Sequence, residues 1–163
     1  MVGYEDGVFA ETVWEGSVMV RWKDRCVDML RDLGLQRAAC ENIPLELKRL
    51  ELESVAIRCG ASDGVAVKSG GRQDKMLWNL VQREDMERNL RLAKQYVAFV
   101  ERGLAALDAE EERTLERVYV LGERDVIEHL REEWAMVEKR SVYKRLDRIL
   151  YRLAVAMYGM EVS

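Results

Sequence analysis

The chain has 163 residues, a single proline, 48% hydrophobic and 34% charged residues, and a net charge of -4, which is typical of a helix-rich globular protein. No stretch approaches the roughly 20 apolar residues that span a bilayer, and residues 1–10 include Glu5 and Asp6 instead of a basic and then apolar signal pattern. The composition argues against a disordered or membrane-spanning chain, and we expect a cytoplasmic protein without a membrane partner.

The first segment, residues 1–16, has four acidic side chains, three glycines and no clear apolar period, which predicts a loose N-terminal arm. Residues 17–107 are predicted to form an antiparallel arm of long helices, because their apolar residues recur at steps of three and four. The first helix should weaken near Gly34. Pro44 then suits the first turn of a second helix, which should stop near Gly60.

Residues 60–72 contain four glycines together with small polar residues, which predicts a flexible loop between two antiparallel helices. A long third helix should then run from about Asp74 to Leu107. Its repeated leucines and valines supply apolar contacts over many turns.

The C-terminal part, residues 108–159, is predicted to be a helix-turn-helix domain. Asp108 followed by Glu111 indicates an N-cap and a reciprocal capping carboxylate. The second helix of this C-terminal domain should extend from about Val126 to Trp134. After a polar break at residues 135–138, a basic amphipathic helix should begin at Lys139 or Arg140.

Charge is distributed unevenly along the chain. Residues 139–152 hold six cations and one anion, a balance of +5, which leaves -9 for the rest of the chain because the total is -4. Such a local basic segment in an acidic protein indicates either one face that binds an anion or only the solvated face of a terminal helix.

The C-terminal residues resemble a known family. Residues 107–119 look like the acidic, tyrosine-ended opening helix of sigma factor region four, and Ser141-Val142 followed by the arginine- and leucine-rich residues 145–153 look like its recognition helix. The wider layout, with the Ser-Asp-Gly of residues 62–64 and the Ala-Met-Tyr-Gly of residues 156–159, is similar to phage and prophage transcriptional regulators of the ArpU/RinA type. Unlike the family pattern, the turn before the predicted recognition helix has no glycine. The resemblance implies an all-α DNA-binding transcription regulator.

A recognition helix, here predicted over residues 139–157, needs one apolar face and one face of long hydrogen-bond donors. The predicted inward residues are Val142, Leu146, Ile149, Leu150 and Leu153. The candidate DNA-binding residues are Lys139, Arg140, Ser141, Tyr143, Lys144, Arg145 and Arg148. Its N-terminus should also attract a phosphate near Ser141.

We expect no enzyme activity, because no nucleophile with a base and no paired carboxylates stand out. His129 is the only histidine and is interpreted as a surface residue. Cys26, Cys40 and Cys59 lack metal-ligand spacing and are interpreted as small core residues, so no metal, catalytic residue or cofactor is expected.

The alternative interpretation is a helical interaction or adaptor protein that binds RNA polymerase or a second copy of itself without touching DNA. In the sigma-like family the same domain contacts promoter DNA and polymerase. That resemblance implies that Asp125, Glu128 or Glu132 faces polymerase, and it leaves open whether a homodimer forms.

Overall fold

The computed structural model describes residues 6–60 and 69–159, with side chains described for 22–60 and 71–159. Within these ranges the chain forms helices and no strand, which confirms the all-α prediction. The elements are α1 (Asp6–Cys59), α2 (Ser69–Ala105), α3 (Ala109–Leu115), which continues into a π-helical turn (Glu116–Val120), α4 (Val126–Glu133) and α5 (Lys139–Tyr158). Among the described helices, none combines the length and the apolar character that crossing a membrane requires.

Helix α1 is one continuous helix where two helices and a loose arm were predicted. Pro44 lies inside it, and residues 6–16 of the predicted arm already belong to it. An interior proline removes one backbone hydrogen bond and costs about 3 kcal/mol. The helix continues because Ile43 and Leu47, on either side of Pro44, are half-buried, and Leu50 one turn further is buried on the same stripe.

Helix α1 ends where the sequence predicted, since Gly60 donates its backbone N–H to the carbonyl of Ala56 at 2.9 Å. The predicted glycine-rich loop lies mostly outside the described residues, at 61–68. Helix α2 begins at Ser69, five residues before the predicted start at Asp74, and ends at Ala105. The long helix that the sequence predicted as the third one is therefore confirmed as α2, and it begins a few residues earlier than predicted.

Asp108 caps α3 as predicted: its side chain accepts a hydrogen bond from the Glu111 backbone N–H at 2.8 Å. The reciprocal part of the predicted cap is different. The carboxylate of Glu111 forms an ion pair with Arg152 of α5, so the residue that was expected to close the cap instead links two helices.

The described residues fall into two compact units. Unit 1 combines residues up to Gly34 with those from Phe99 onward, and unit 2 is residues 35–98. In unit 1 the part of α1 over residues 22–34 packs against the end of α5: the Tyr158 hydroxyl donates to the Met29 sulfur at 2.9 Å, and the Trp22 and Tyr158 ring centres are 4.2 Å apart. The helix-turn-helix region thus shares a core with α1, whereas the sequence placed it in a separate domain over residues 108–159.

In unit 2, α1 and α2 run antiparallel, as predicted for the arm. The side-chain amide of Asn79 donates to the backbone carbonyl of Leu50 at 2.9 Å, and Arg83 lies 3.5 Å from Glu51. Both contacts join the second half of α1 to the first half of α2 and fix the register of the pair.

The three cysteines differ in exposure, although all were predicted to be core residues. Cys26 is buried in unit 1, and burial raises the pKa of its thiol to about 11. Cys40 is half-buried. The prediction is wrong for Cys59, the last residue of α1, which is exposed.

Candidate nucleic-acid interface

Helices α4 and α5 are joined by a short turn and share a small apolar core. Its buried members are Val126 and Leu130 of α4 and Val142 and Leu146 of α5. Partly buried apolar side chains surround them: Val118, Ile127, Trp134 and Met136. This arrangement is a helix, a turn and a second helix whose inner faces are held together by apolar contacts, as the sequence predicted for residues 126–158.

The turn takes a left-handed backbone conformation at Ala135, where φ is +50°. An L-residue with a Cβ is strained there, and glycine is the usual residue at such a position. The chain turns because the Trp134 N–H donates to the Leu130 carbonyl and the Met136 N–H to the Arg131 carbonyl, both at 2.9 Å. The sequence pattern lacked the glycine of the resembling family, yet the backbone adopts a glycine-like conformation.

Helix α5 extends over Lys139–Tyr158, as predicted, and its apolar face is the predicted one. All five residues assigned to that face are buried, with at most 3% of each side chain exposed. They are Val142, Leu146, Ile149, Leu150 and Leu153. The opposite face of α5 therefore points away from the core of unit 1.

Three of the candidate DNA-binding cations occupy that opposite face. Arg140, Lys144 and Arg148 are exposed and follow one another at intervals of four residues, which corresponds to about 6 Å along the helix axis per step. Within the part of the chain that the structure describes, none of the three has a carboxylate partner. They form a row of available positive charges, which we call the cationic row.

Arg145 occupies a different position. Its guanidinium donates to the Glu110 carboxylate of α3 at 3.0 Å and lies 4.0 Å from the centre of the Trp134 ring. The Trp134 indole N–H donates to the same carboxylate oxygen of Glu110 at 3.1 Å. Arg145 is thus engaged in a three-residue cluster that joins α3, the end of α4 and α5.

Lys139 is also engaged within the chain. Its amino group lies 3.0 Å from the Glu128 carboxylate of α4, which also pairs with Arg131. The hydrogen bond from Lys139, followed by that from Arg131, lowers the pKa of Glu128 below its usual value. The start of α5 is therefore tied to α4 by an ion pair on the surface.

Tyr143 and Ser141 lie near the beginning of α5. Tyr143 is 53% exposed, and Ser141 is half-buried. Glu138 is the N-cap of α5, and its side chain makes no capping hydrogen bond. The first N–H groups of α5 thus have no side-chain acceptor from their own cap, which leaves the positive end of the helix dipole accessible beside Ser141.

A second ion-pair cluster supports α4 and was not predicted from the sequence. Arg117, in the π-helical turn, lies 2.7 Å from Glu123 and 2.9 Å from Glu133. These two hydrogen bonds raise the pKa of Arg117, and the hydrogen bond from Arg117 is the largest cause of a lowered pKa at Glu123. His129, predicted to be a surface residue, is half-exposed and lies 3.2 Å from Glu123. The cluster holds the loop between the π turn and α4 to both its neighbours.

Arg152 forms the ion pair with Glu111 described above. Two cations of α5, Arg145 and Arg152, therefore face α3, while the cationic row faces outward.

Among the described residues, no group of three histidine, cysteine or acidic side chains is arranged to hold a metal ion. The arrangement offers positive charge and hydrogen-bond donors on the exposed face of α5, which suits a polyanion.

In comparisons with known proteins, no family model, curated protein or solved structure matches the chain.

Proposed function

We propose that this chain is a DNA-binding transcriptional regulator that places α5 in the major groove, with α4 as the supporting helix. The observation that carries the proposal is the cationic row of Arg140, Lys144 and Arg148 on the outer face of a helix whose other face is buried. An α-helix fits the width of the major groove, and cations along its flank neutralise phosphates while its outermost side chains reach base edges.

The separation of cations into two sets supports this role. Arg145 and Arg152 are engaged with α3 and hold α5 in place, whereas the cationic row has no such engagement. Arginine side chains without an internal partner are available to bind guanine in a bidentate manner or to contact phosphate. Arg140, Lys144 and Arg148 are therefore the principal DNA-contacting residues of the proposal, with Tyr143 and Ser141 as neighbouring hydrogen-bond donors.

The resemblance of residues 107–153 to sigma factor region four, and of the wider layout to ArpU/RinA-type phage regulators, is consistent with the proposal. In such a regulator α4 would face RNA polymerase. Glu128 already forms ion pairs with Lys139 and Arg131. Asp125 lies 3.6 Å from Arg124. Glu132 is exposed and has no ion-pair partner in the described part of the chain, so it is the α4 carboxylate best placed to meet a basic partner.

The test is a fluorescence anisotropy titration of a mixed-sequence DNA duplex across a range of salt concentrations. A triple variant, Arg140→Gln, Lys144→Gln and Arg148→Gln, removes the cationic row. If each cation neutralises one phosphate, the slope of log affinity against log salt should become shallower by about 2.7, since each contact contributes about 0.9. The affinity at low salt should fall as well.

A matched control removes three exposed cations of α2, with Lys75→Gln, Arg91→Gln and Lys94→Gln. It changes the net charge by the same amount, and its salt slope should stay that of the wild-type protein. Absence of wild-type binding at low salt, or an equal effect of the two triple variants, would reject DNA recognition by α5. A protein partner would then be the function to pursue.

A further inference from the structure

Helix α5 carries a single acidic residue, Asp147, and this residue lies beside the cationic row. It directly precedes Arg148 and follows Lys144 by three positions. Residues three positions apart are neighbours on the surface of a helix, so Asp147 is next to Lys144 at the edge of the face that we propose binds DNA. A carboxylate in this position repels phosphate and opposes the attraction that the neighbouring cations provide.

The Asp147 carboxylate pairs with a cation from another helix. Its Oδ1 atom lies 2.6 Å from the Nζ atom of Lys23, on α1. Lys144, although it is the neighbour on α5, has no carboxylate partner in the part of the chain that the structure describes. Both members of the pair belong to unit 1. The charge that cancels the one anion of α5 therefore comes from a segment that is distant in the sequence.

This ion pair lies on the surface, where the side chains of Lys23 and Asp147 are 50% and 51% exposed. Ion pairs as exposed as this one add little to the stability of a fold. Other contacts hold the same part of α1 to α5, among them the ring contact of Trp22 with Tyr158 and the hydrogen bond from Tyr158 to Met29. The main effect of the pair is therefore on the electrostatic potential beside the cationic row.

The ion pairs that α5 makes with its neighbouring helices have two opposite effects on that potential. Those of Arg145 and Arg152 engage two cations of α5 with carboxylates of α3. The pair with Lys23 instead engages the one anion of α5. Without the Lys23 ammonium, the Asp147 carboxylate would repel phosphate or pair with Lys144. Either event would reduce the positive charge that the cationic row offers to DNA.

From this geometry we propose that Lys23 is a positioning residue for DNA binding: it holds and neutralises the Asp147 carboxylate, so that Lys144 and Arg148 attract phosphate without an opposing charge. This inference rests on the proposed function, and it extends the DNA-binding surface to a contribution from α1. In water, one unit charge at about 7 Å from a phosphate changes the affinity about threefold. A loss of about that size is expected for each phosphate that the bare carboxylate faces.

The experiment is an anisotropy titration of a mixed-sequence DNA duplex at about 0.05 M salt, where surface charges are weakly screened. Lys23→Gln should bind DNA at least about threefold more weakly than the wild-type protein. Asp147→Asn should bind at least as tightly as the wild-type protein, because it removes the repelling charge. The double variant should recover the wild-type affinity and the wild-type salt slope, because a neutral pair neutralises no phosphate.

A matched control is Arg49→Gln, which removes a cation of unit 2 that pairs with Glu46 and should leave the affinity unchanged. Circular dichroism and urea unfolding verify that each variant retains the wild-type fold. The asymmetry between the two partners is the decisive readout, since a pair that only supported the fold would be damaged equally from either side.

Three results would overturn the inference. They are an unchanged affinity in Lys23→Gln, equal losses in Lys23→Gln and Asp147→Asn, and a salt slope of the double variant that is shallower by about 0.9. The last would show that Lys23 itself neutralises a phosphate. If the triple variant of the cationic row loses binding and Lys23→Gln does not, this inference fails alone. If the wild-type protein does not bind DNA at low salt, the proposed function fails and the inference fails with it.

Discussion

The guanidinium of Arg145 lies 4.0 Å from the centre of the Trp134 ring, so a cation of the proposed recognition helix rests on the aromatic residue that ends α4. Both side chains also donate to the same oxygen of Glu110. The cluster sets the angle between α4 and α5 and ties both to α3. Arg145 thus helps to position α5, the helix that we propose binds DNA.

Replacement of Arg145 by methionine should destabilise the fold while it leaves the salt dependence of DNA binding nearly unchanged. The cation–π contact and the partly exposed ion pair are worth about 1 kcal/mol together. A double-mutant cycle with Glu110→Gln, followed by urea unfolding, isolates the ion pair and should give a coupling energy of about 0.2–1 kcal/mol. Lys144→Met provides the contrast: it should leave the free energy of unfolding within about 0.5 kcal/mol and make the salt slope shallower. A reversed pattern would show that Arg145 is a direct DNA contact.

Ala135→Gly should stabilise the protein, although glycine usually weakens a fold. The left-handed backbone at Ala135 costs an L-residue about 1–2 kcal/mol, and glycine relieves this strain. The greater freedom of glycine in the unfolded chain offsets about 0.4–1 kcal/mol of that gain. The expected net gain is about 0.5 kcal/mol in thermal or urea unfolding.

The control for this change is Ala156→Gly, at an exposed position in the last turn of α5. It should destabilise the protein, because the alanine has ordinary helical geometry there and glycine has a lower helix propensity. Ala135→Val should lower the stability, since a β-branched side chain tolerates positive φ poorly. A loss of stability in Ala135→Gly would mean that the turn does not hold a left-handed residue.

Gly103→Ala should destabilise unit 1. A Cβ at this position of α2 would clash with the Met157 side chain and would come within 3.1 Å of the Leu153 side chain, both on α5. Overpacking costs about 1–3 kcal/mol, against about 1 kcal/mol gained in helix propensity, so a net loss of about 1 kcal/mol is expected. In a Gly103→Ala, Met157→Ala double variant, the two losses should be less than additive, because the shorter side chain at 157 makes room for the new Cβ. Strict additivity in chemical unfolding would contradict a close approach of α2 and α5.

Acid should weaken the Arg117 cluster through Glu123. The pKa of Glu123 is lowered in the folded protein, chiefly by the hydrogen bond from Arg117. The stability that comes from the charged carboxylate is therefore fully present above its ordinary pKa of 4.5 and is lost as the pH falls through the lower, folded-state pKa.

The melting temperature of Glu123→Gln should lie below that of the wild-type protein at pH 7, and the two should converge as the pH is lowered below about 4.5. Glu132→Gln, an exposed residue of α4, should follow the wild-type curve at each pH. A constant difference between Glu123→Gln and the wild-type protein over the whole range would show that the carboxylate charge plays no part in the cluster.

Local and periodic features were predictable from the sequence. Asp108 was predicted as an N-cap because Glu111 follows it three residues later, just before apolar residues at helical spacing, and it caps α3 as expected. The apolar face of α5 was predicted residue by residue from its spacing. The break at Pro44 was wrong, because proline propensity is a local term and the apolar stripe through Ile43, Leu47 and Leu50 outweighs it.

The separation of the basic helix into two functional sets was not predictable. Lys144 and Arg145 are neighbours of similar chemistry, yet the first belongs to the exposed cationic row and the second contacts Glu110, which is 35 residues away in the chain. Likewise, nothing in the spacing of residues 116–133 indicates that Arg117 binds both Glu123 and Glu133. Contacts between distant segments depend on where the helices pack, and a charged residue carries no local sign of its partner.

The sequence alone determined that this protein is helical and which face of α5 is apolar. It also located the last four helical segments to within a few residues. These properties are local, because helix formation and amphipathicity depend on residues three and four positions apart. Only the tertiary structure decided that residues 22–34 of α1 share a core with α5. It also decided that Arg145 and Arg152 are engaged with α3 while Arg140, Lys144 and Arg148 are exposed, and that most of the large apolar side chains described in unit 2 are exposed. Those properties depend on packing between segments far apart in the chain, where burial and partner choice are set by geometry in three dimensions.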